Sequence, residues 1–368
     1  MMMATVETMR AKLPVRMLAI TLLVGFTVIQ IVLHWPLLSQ AGKYTYQLLS
    51  LMARDSQRYV TETQLLGEMT WRLHKYELNF NHQTCKSQVM VKKKVAWLTA
   101  MVNDDFVVPA IALSYLLKKL SCYQDRIVMV STGVSQAAQA ALKQAGYKIE
   151  VVQPMDCDYM DKLKGRKPTG KGILGTHTRL QAWNLTQWDT LVYLDADFLP
   201  LSNMDELFTR SSGLSAPYCS RPGIADPCFN AGLLVFHPHR EVFQGLMNYW
   251  SKASDYSCPN DQILLWHYFA DNDQWDPLPY GYDVRRMIYF PMKAYHFACC
   301  LRPKPWHYPQ VPNRHDAFYY DGPIDDIDDF AMVWWRSFYR AVDEFHLDEW
   351  WTGAQKSLAK YRSNRSGL

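Results

Sequence analysis

Leu191-Val192-Tyr193-Leu194, followed at once by Asp195-Ala196-Asp197, constrains this chain more than any other stretch. Four apolar residues in a row, without alternation, form a strand covered on both faces, as in the middle of an α/β sheet. Two carboxylates one residue apart at the end of such a strand repel each other unless a cation or a hydrogen-bond network offsets them. The spacing therefore points to a hard divalent metal. Open α/β sheets hold ligands at this position, beyond the carboxyl ends of their strands. A turn that is merely rich in aspartate is the competing reading of the pair taken alone. Pro200, Ser202 and Asn203 then end the strand, and Asn203 is suited to cap a short helix running through Leu207.

The residues upstream supply the rest of a parallel sheet. Apolar runs predict strands over 95–102, 126–131 and 148–152. Between them, helical patterns cover 107–120, with Pro109 in the first turn, and 135–145, begun by Ser135 and stopped by Gly146. This alternation of strand and helix is an α/β layout. Residues 156–175 carry four glycines and five basic side chains but fit neither a P-loop nor a Rossmann fingerprint, so they read as a mobile loop. A helix over 176–186 leads into the strand that ends at Asp195.

Residues 17–38 are uncharged and almost wholly apolar, long enough to cross a bilayer. Arg10, Lys12 and Arg16 precede them and the next basic residue is Lys43, which puts the N-terminus in the cytosol and the remainder in the lumen. A cleaved signal peptide is the alternative, but the run is longer than a signal core and no small-residue cleavage site follows it. Residues 1–16 are then a cytosolic tail, 17–38 a signal-anchor and 39–94 a stem. A net charge of +4 over 368 residues, without a dense basic stripe, excludes an electrostatic footprint for nucleic acid. The eight cysteines include no Cys-x-x-Cys pair, which argues against structural zinc and leaves disulfides open. Cys299 and Cys300 are adjacent and poorly placed to pair with each other.

Several pieces, in order, carry a resemblance. They are Thr178-Arg179-Leu180 with Trp183, Tyr193 to Asp197, Leu201 to Phe208, Cys228-Phe229-Asn230-Ala231-Gly232 leading to Phe236, and Asn260-Asp261-Gln262. His296-Phe297 and Lys304-Pro305-Trp306 close the set. Together they resemble the glycogenin-like family 8 glycosyltransferases, retaining enzymes with the GT-A fold. The resemblance implies an α/β, Rossmann-like mixed sheet flanked by helices over 95–310, with a UDP-sugar as donor and Mn²⁺ (or Mg²⁺) as cofactor. It implies Asp195, Asp197 and His296 as metal ligands, and Lys304 as a point charge on the diphosphate. Asn103 and Phe106 fall where the family holds the nucleotide base. Arg179 stands where glycogenin carries lysine and, like Ala196 and Asn230, falls in the donor site. Asp261 and Gln262 are placed at the reacting sugar, with Arg179 beside them. Departures are Ala231 for the family's serine and a longer segment between His296 and Lys304.

Residues 311–368 read as an extension, with a helix from about Val333 to Phe345 that packs aromatics against the catalytic domain. Asn184-Leu185-Thr186 and Asn364-Arg365-Ser366 satisfy the N-glycosylation rule, and Asn364 is favoured because Asn184 adjoins a core strand. The expectation is a single-pass type II membrane enzyme of the Golgi (or ER) with a luminal catalytic domain. It would move a hexose or hexuronic acid onto a glycan, glycolipid or glycoprotein. A catalytically inactive homologue that binds glycans or acts as a scaffold is the rival.

Overall fold

The computed structural model describes residue 85 and residues 92–155, 175–221, 228–254, 260–289, 292–298, 304–308, 310–318, 320 and 326–363. The expected tail and anchor, nearly all of the stem, the glycine-rich loop except Gly175, and Cys157, Cys258, Cys299, Cys300 and Asn364 lie outside the described residues. No described helix is long and apolar enough to cross a membrane.

The strands are β1 (Val95–Met101), β2 (Arg126–Val130), β3 (Lys148–Val151), β4 (Thr190–Leu194), β5 (Phe198–Pro200), β6 (Leu214–Pro217), β7 (Leu233–Phe236), β8 (Trp275–Leu278) and β9 (Ala294–His296). The helices are α1 (Val107–Leu120), α2 (Gln136–Gln144), α3 (Arg240–Ser254), α4 (Asp261–Leu265), α5 (Arg314–Phe318), α6 (Ile327–Glu344) and α7 (Asp348–Ser363). Seven strands form one mixed sheet in the order β3-β2-β1-β4-β7-β6-β8. β1 to β4 run parallel, while β7 is antiparallel to β4. The interior strands β2, β4 and β7 are buried at every residue, as continuous apolar runs require, whereas the edge strand β3 carries exposed and half-buried residues. Strand order reverses between β1 and β4, so a crevice opens beyond their carboxyl ends.

α1 is apolar nearly all round because it is covered twice, by the sheet and by α6. Phe330, Trp334 and Phe338 of α6 are fully buried, and Trp306 packs on Trp334 at 5.1 Å between ring centroids. α6, the helix expected in the C-terminal extension, is thus part of the core. It begins six residues earlier than the aromatic pattern indicated, because Asp326 and Asp329 form a reciprocal capping box at its start.

The helix expected over 176–186 is present as a 3₁₀ helix, Thr176–Asn184, entered from left-handed Gly175, and one local expectation is corrected. The Thr178 hydroxyl accepts the Met155 N–H while the Thr178 N–H donates to Gly175 O, a tight i+3 bond. Asn203 does not cap the following turn, a 3₁₀ helix over Asp205–Thr209 whose first residue is preceded by Met204. Its Oδ1 instead accepts the Asp205 N–H, and its Nδ2 donates to Leu120 O and to the Asp205 carboxylate. Asp205, which is buried, also accepts from the Ser121 hydroxyl and the Cys122 N–H, tying the end of α1 to the loop after β5. A disulfide pins Cys85 to Cys122 nearby.

Candidate active site

Tyr193 of β4 and Asp195, one residue beyond its end, lie on one face, because residues two apart along extended chain point the same way. The Tyr193 hydroxyl accordingly donates to Asp195 Oδ1 at 2.8 Å. The chain turns immediately into β5, which pairs antiparallel with β9 so that Phe198 lies opposite His296. This register carries His296 across 99 residues of sequence to Asp197, with Nε2 3.2 Å from Asp197 Oδ1. Nε2 is also 3.9 Å from Asp195 Oδ2. One ligand atom from each of Asp195, Asp197 and His296 lies within 4.8 Å of the others, the single such group among the described residues. Carboxylate oxygens with one imidazole are a donor set that suits Mn²⁺ or Mg²⁺, so the residues present fit the expected metal.

Arg179 braces the opposite wall. Its Nη2 lies 3.0 Å from Asp195 Oδ1, its Nε 2.7 Å from Asp261 Oδ2, and its Nη1 donates to Ala231 O at 2.6 Å. The guanidinium also sits 4.9 Å from the Tyr193 ring. Lys304 pairs with Asp197 and donates to Phe297 O, its ammonium 5.6 Å from the Phe106 ring and 5.7 Å from that of Trp306. Phe106, Thr176, Thr178, Arg179, Asp195 and Lys304 line the pocket that opens here, and Ala196 and Asp197 form part of its floor.

The electrostatics of the two carboxylates differ. Burial pushes Asp195 up, outweighing the pull of Arg179 in the other direction. Burial also opposes charge on Asp197, yet Lys304 and His296 hold its carboxyl far below the usual range. Burial likewise disfavours the charged imidazole, but Asp197 and Asp283 together push His296 up to about 9. Lys304 and Arg179 are the cations set against the two carboxylates, on Asp197 and Asp195 respectively.

Most residues expected at the site converge on it, and some do so in other roles. Asn103 does not line the pocket: its Oδ1 accepts the Asp105 N–H and caps the turn that carries Phe106. Asp261 faces Arg179 and is largely buried. Asn230 and Gln262 bond to each other, Nδ2 to Oε1 at 3.0 Å, and Gln262 Oε1 also accepts the Ala231 N–H. Asn260 caps α4 by accepting the Ile263 N–H, which presents Asp261 and Gln262 in its first turn.

Three participants were given no role from sequence, although two of them, Tyr193 and Gly232, lie in the pieces that carry the resemblance. Tyr193 was legible, since its two-residue spacing from Asp195 places both on one face of β4. Gly232 was not: its backbone packs so close to His296 that a Cβ would lie 2.4 Å from the imidazole Cε1. Asp283, whose Oδ1 lies 2.8 Å from His296 Nδ1, carried no motif at all.

No family model matches the sequence. Among curated proteins, glycogenin-1 of Mus musculus is 31% identical over 258 residues, an alignment covering 66% of this chain and 75% of that protein. Inositol phosphorylceramide glucuronosyltransferase 1 of Arabidopsis thaliana is 28% identical over 178 residues, covering 48% of this chain and 30% of that one. Among solved structures, the galactosyltransferase LgtC with donor and acceptor sugar analogues is 17% identical, with a TM-score of 0.44 and coverage of 58% and 89%. That last likeness is too loose to carry weight here. Its relation to glycogenin-1, sustained over most of the length of that protein, places this chain in the glycogenin-like family 8 and makes it a glycosyltransferase.

Proposed function

We propose that the chain transfers a hexose or a hexuronic acid from a UDP-sugar, with retention, to a glycan, glycolipid or glycoprotein acceptor. The observation that carries this reading is the meeting of Asp195, Asp197 and His296 beside a pocket that Phe106, Arg179 and Lys304 line. Asp195, Asp197 and His296 would hold Mn²⁺ or Mg²⁺, which when bound neutralises charge on a departing diphosphate. Lys304 supplies a cation on the same side, aimed by the Phe106 and Trp306 rings beneath it. Phe106 offers a flat apolar face to the nucleotide base. Arg179 keeps Asp195 and Asp261 fixed relative to each other, and the Asn230–Gln262 pair presents amides to sugar hydroxyls. The hexuronic acid is included because relatives such as the Arabidopsis thaliana enzyme are named as glucuronosyltransferases.

Full-length protein in detergent should release UDP from one of UDP-glucose, UDP-galactose, UDP-N-acetylglucosamine or UDP-glucuronate, and only with Mn²⁺ or Mg²⁺ present. Absence of turnover with all four would leave the inactive, glycan-binding homologue as the better reading.

The compartment proposed is the lumen of the Golgi or ER, reached through the segment 17–38. The disulfides Cys85–Cys122 and Cys219–Cys228 support an oxidising environment. Asn184 and Thr186 are both exposed while Leu185 between them is buried, so the closeness to a core strand that favoured Asn364 does not shield Asn184. Protein from a eukaryotic secretory host is expected to gain gel mobility on treatment with peptide N-glycosidase. Asn184→Gln should remove part of that shift. An unshifted band would count against a luminal catalytic domain.

A further inference from the structure

We infer that Asp283 and Arg285 form a positioning relay behind His296, aiming its imidazole at Asp195 and Asp197 and tying it to the segment that carries Asn230. The inference rests on the proposed metal role of that triad. Asp283 is completely buried, in a loop whose backbone is locked to β9: the His296 N–H donates to Val284 O, and the Val284 N–H to Ala294 O. Its Oδ1 lies 2.8 Å from His296 Nδ1. A carboxylate there keeps the proton on Nδ1 and leaves the Nε2 lone pair facing the other two carboxylates. Gly232 closes the opposite side of the ring, and Phe198 stacks on its face at 4.3 Å between centroids. The imidazole therefore has little freedom to turn.

A buried carboxylate needs a second partner. Asp283 Oδ2 has no hydrogen bond and lies 3.7 Å from Arg285 Nε, which is itself buried and without one. Arg285 spends its Nη2 on two backbone oxygens, Tyr218 O at 3.2 Å and Cys219 O at 2.6 Å. Cys219 is joined by a disulfide to Cys228, and an isolated antiparallel bridge pairs Tyr218 with Phe229. Asn230 and Gly232 follow directly. One arginine thus offsets the charge behind the metal-ligating histidine and anchors the strand entry that presents the sugar-facing amides. Hydrophobic packing alone does not ask for two ions at this depth, since burying a charge is costly unless it is paired.

The test is Mn²⁺ titration of the full chain, followed by the electron paramagnetic resonance of free Mn²⁺, on wild type, Asp283→Ala, Asp283→Asn and Asp197→Ala. Thermal midpoints measured in EDTA serve as the control for folding. Asp283→Ala is expected to weaken Mn²⁺ binding about 10–100-fold, the range for partners of metal-bound histidines. Asp283→Asn should lose less but still more than twofold, because its amide oxygen accepts from Nδ1 without the carboxylate's charge. Affinity within twofold of wild type in a folded Asp283→Ala, alongside lost binding in Asp197→Ala, overturns the relay and leaves the metal site standing. If Asp283→Ala does not fold, unchanged affinity in Asp283→Asn overturns it equally. A wild-type chain that binds no Mn²⁺ overturns the metal reading and the relay with it.

Discussion

Asp197→Asn is expected to lower metal-dependent turnover of the UDP-sugar donor by on the order of 10³-fold, with little change in the thermal midpoint measured in EDTA. The asparagine keeps the shape of the side chain and can still accept from His296 or Lys304, so packing survives. What it removes is the most strongly ionised ligand of the three, the carboxyl that Lys304 and His296 hold far below its usual range. Lewis-acid stabilisation of a leaving group is worth several kcal/mol, and about 4 kcal/mol corresponds to three powers of ten in rate. Asp195 is a poorer substitute because burial works against its charge. Initial rates across a Mn²⁺ series check this. A loss of less than tenfold at saturating metal would remove Asp197 from the ligand set.

The largest stability effect is expected at Arg179. Arg179→Ala strips the counter-charge from Asp195 and Asp261 together and leaves Ala231 O without its donor. The side chains involved are 12%, 25% and 9% exposed, so solvent does little to screen them. Breaking a buried pair by removing one partner costs about 3–5 kcal/mol, a large share of the ~5–15 kcal/mol that holds a domain folded. Arg179→Lys should recover part of this, because an ammonium matches the charge but cannot bridge both carboxylates with a planar fork. Mn²⁺ should also rescue Arg179→Ala in part, by supplying a cation to Asp195. Urea unfolding with and without metal reads both effects. A cost under about 1 kcal/mol would show that the two carboxylates are not held through Arg179.

The elements that could be located in advance are those whose signal is local. β1, α1, β2, α2, β3 and β4 lie within a residue or two of their expected bounds, since continuous apolar runs and the Ser135 and Gly146 signals act over a few positions. β5 and β9 have three residues each, too short for any periodicity to register. Yet their pairing is what sets His296 beside Asp197. Resemblance to a family pointed to His296 and Lys304, but spacing could not, with 99 and 107 residues between them and Asp197. That the Asn103 Oδ1 caps the turn carrying Phe106 could not be read in advance either, because it depends on where the Asp105 N–H points. Asp283 and Arg285 were illegible for a plainer reason. A lone aspartate and a lone arginine in a loop usually face water, and only the packed structure buries them against each other and against His296.

The sequence by itself determined the parallel half of the sheet and the carboxylate pair at the end of β4, because burial on two faces and the break after it are written in adjacent residues. Only the tertiary structure decided which imidazole faces that pair, which cations balance it and which buried ions hold the imidazole in place. Those contacts join segments far apart in the chain, and their geometry is set by strand register and burial.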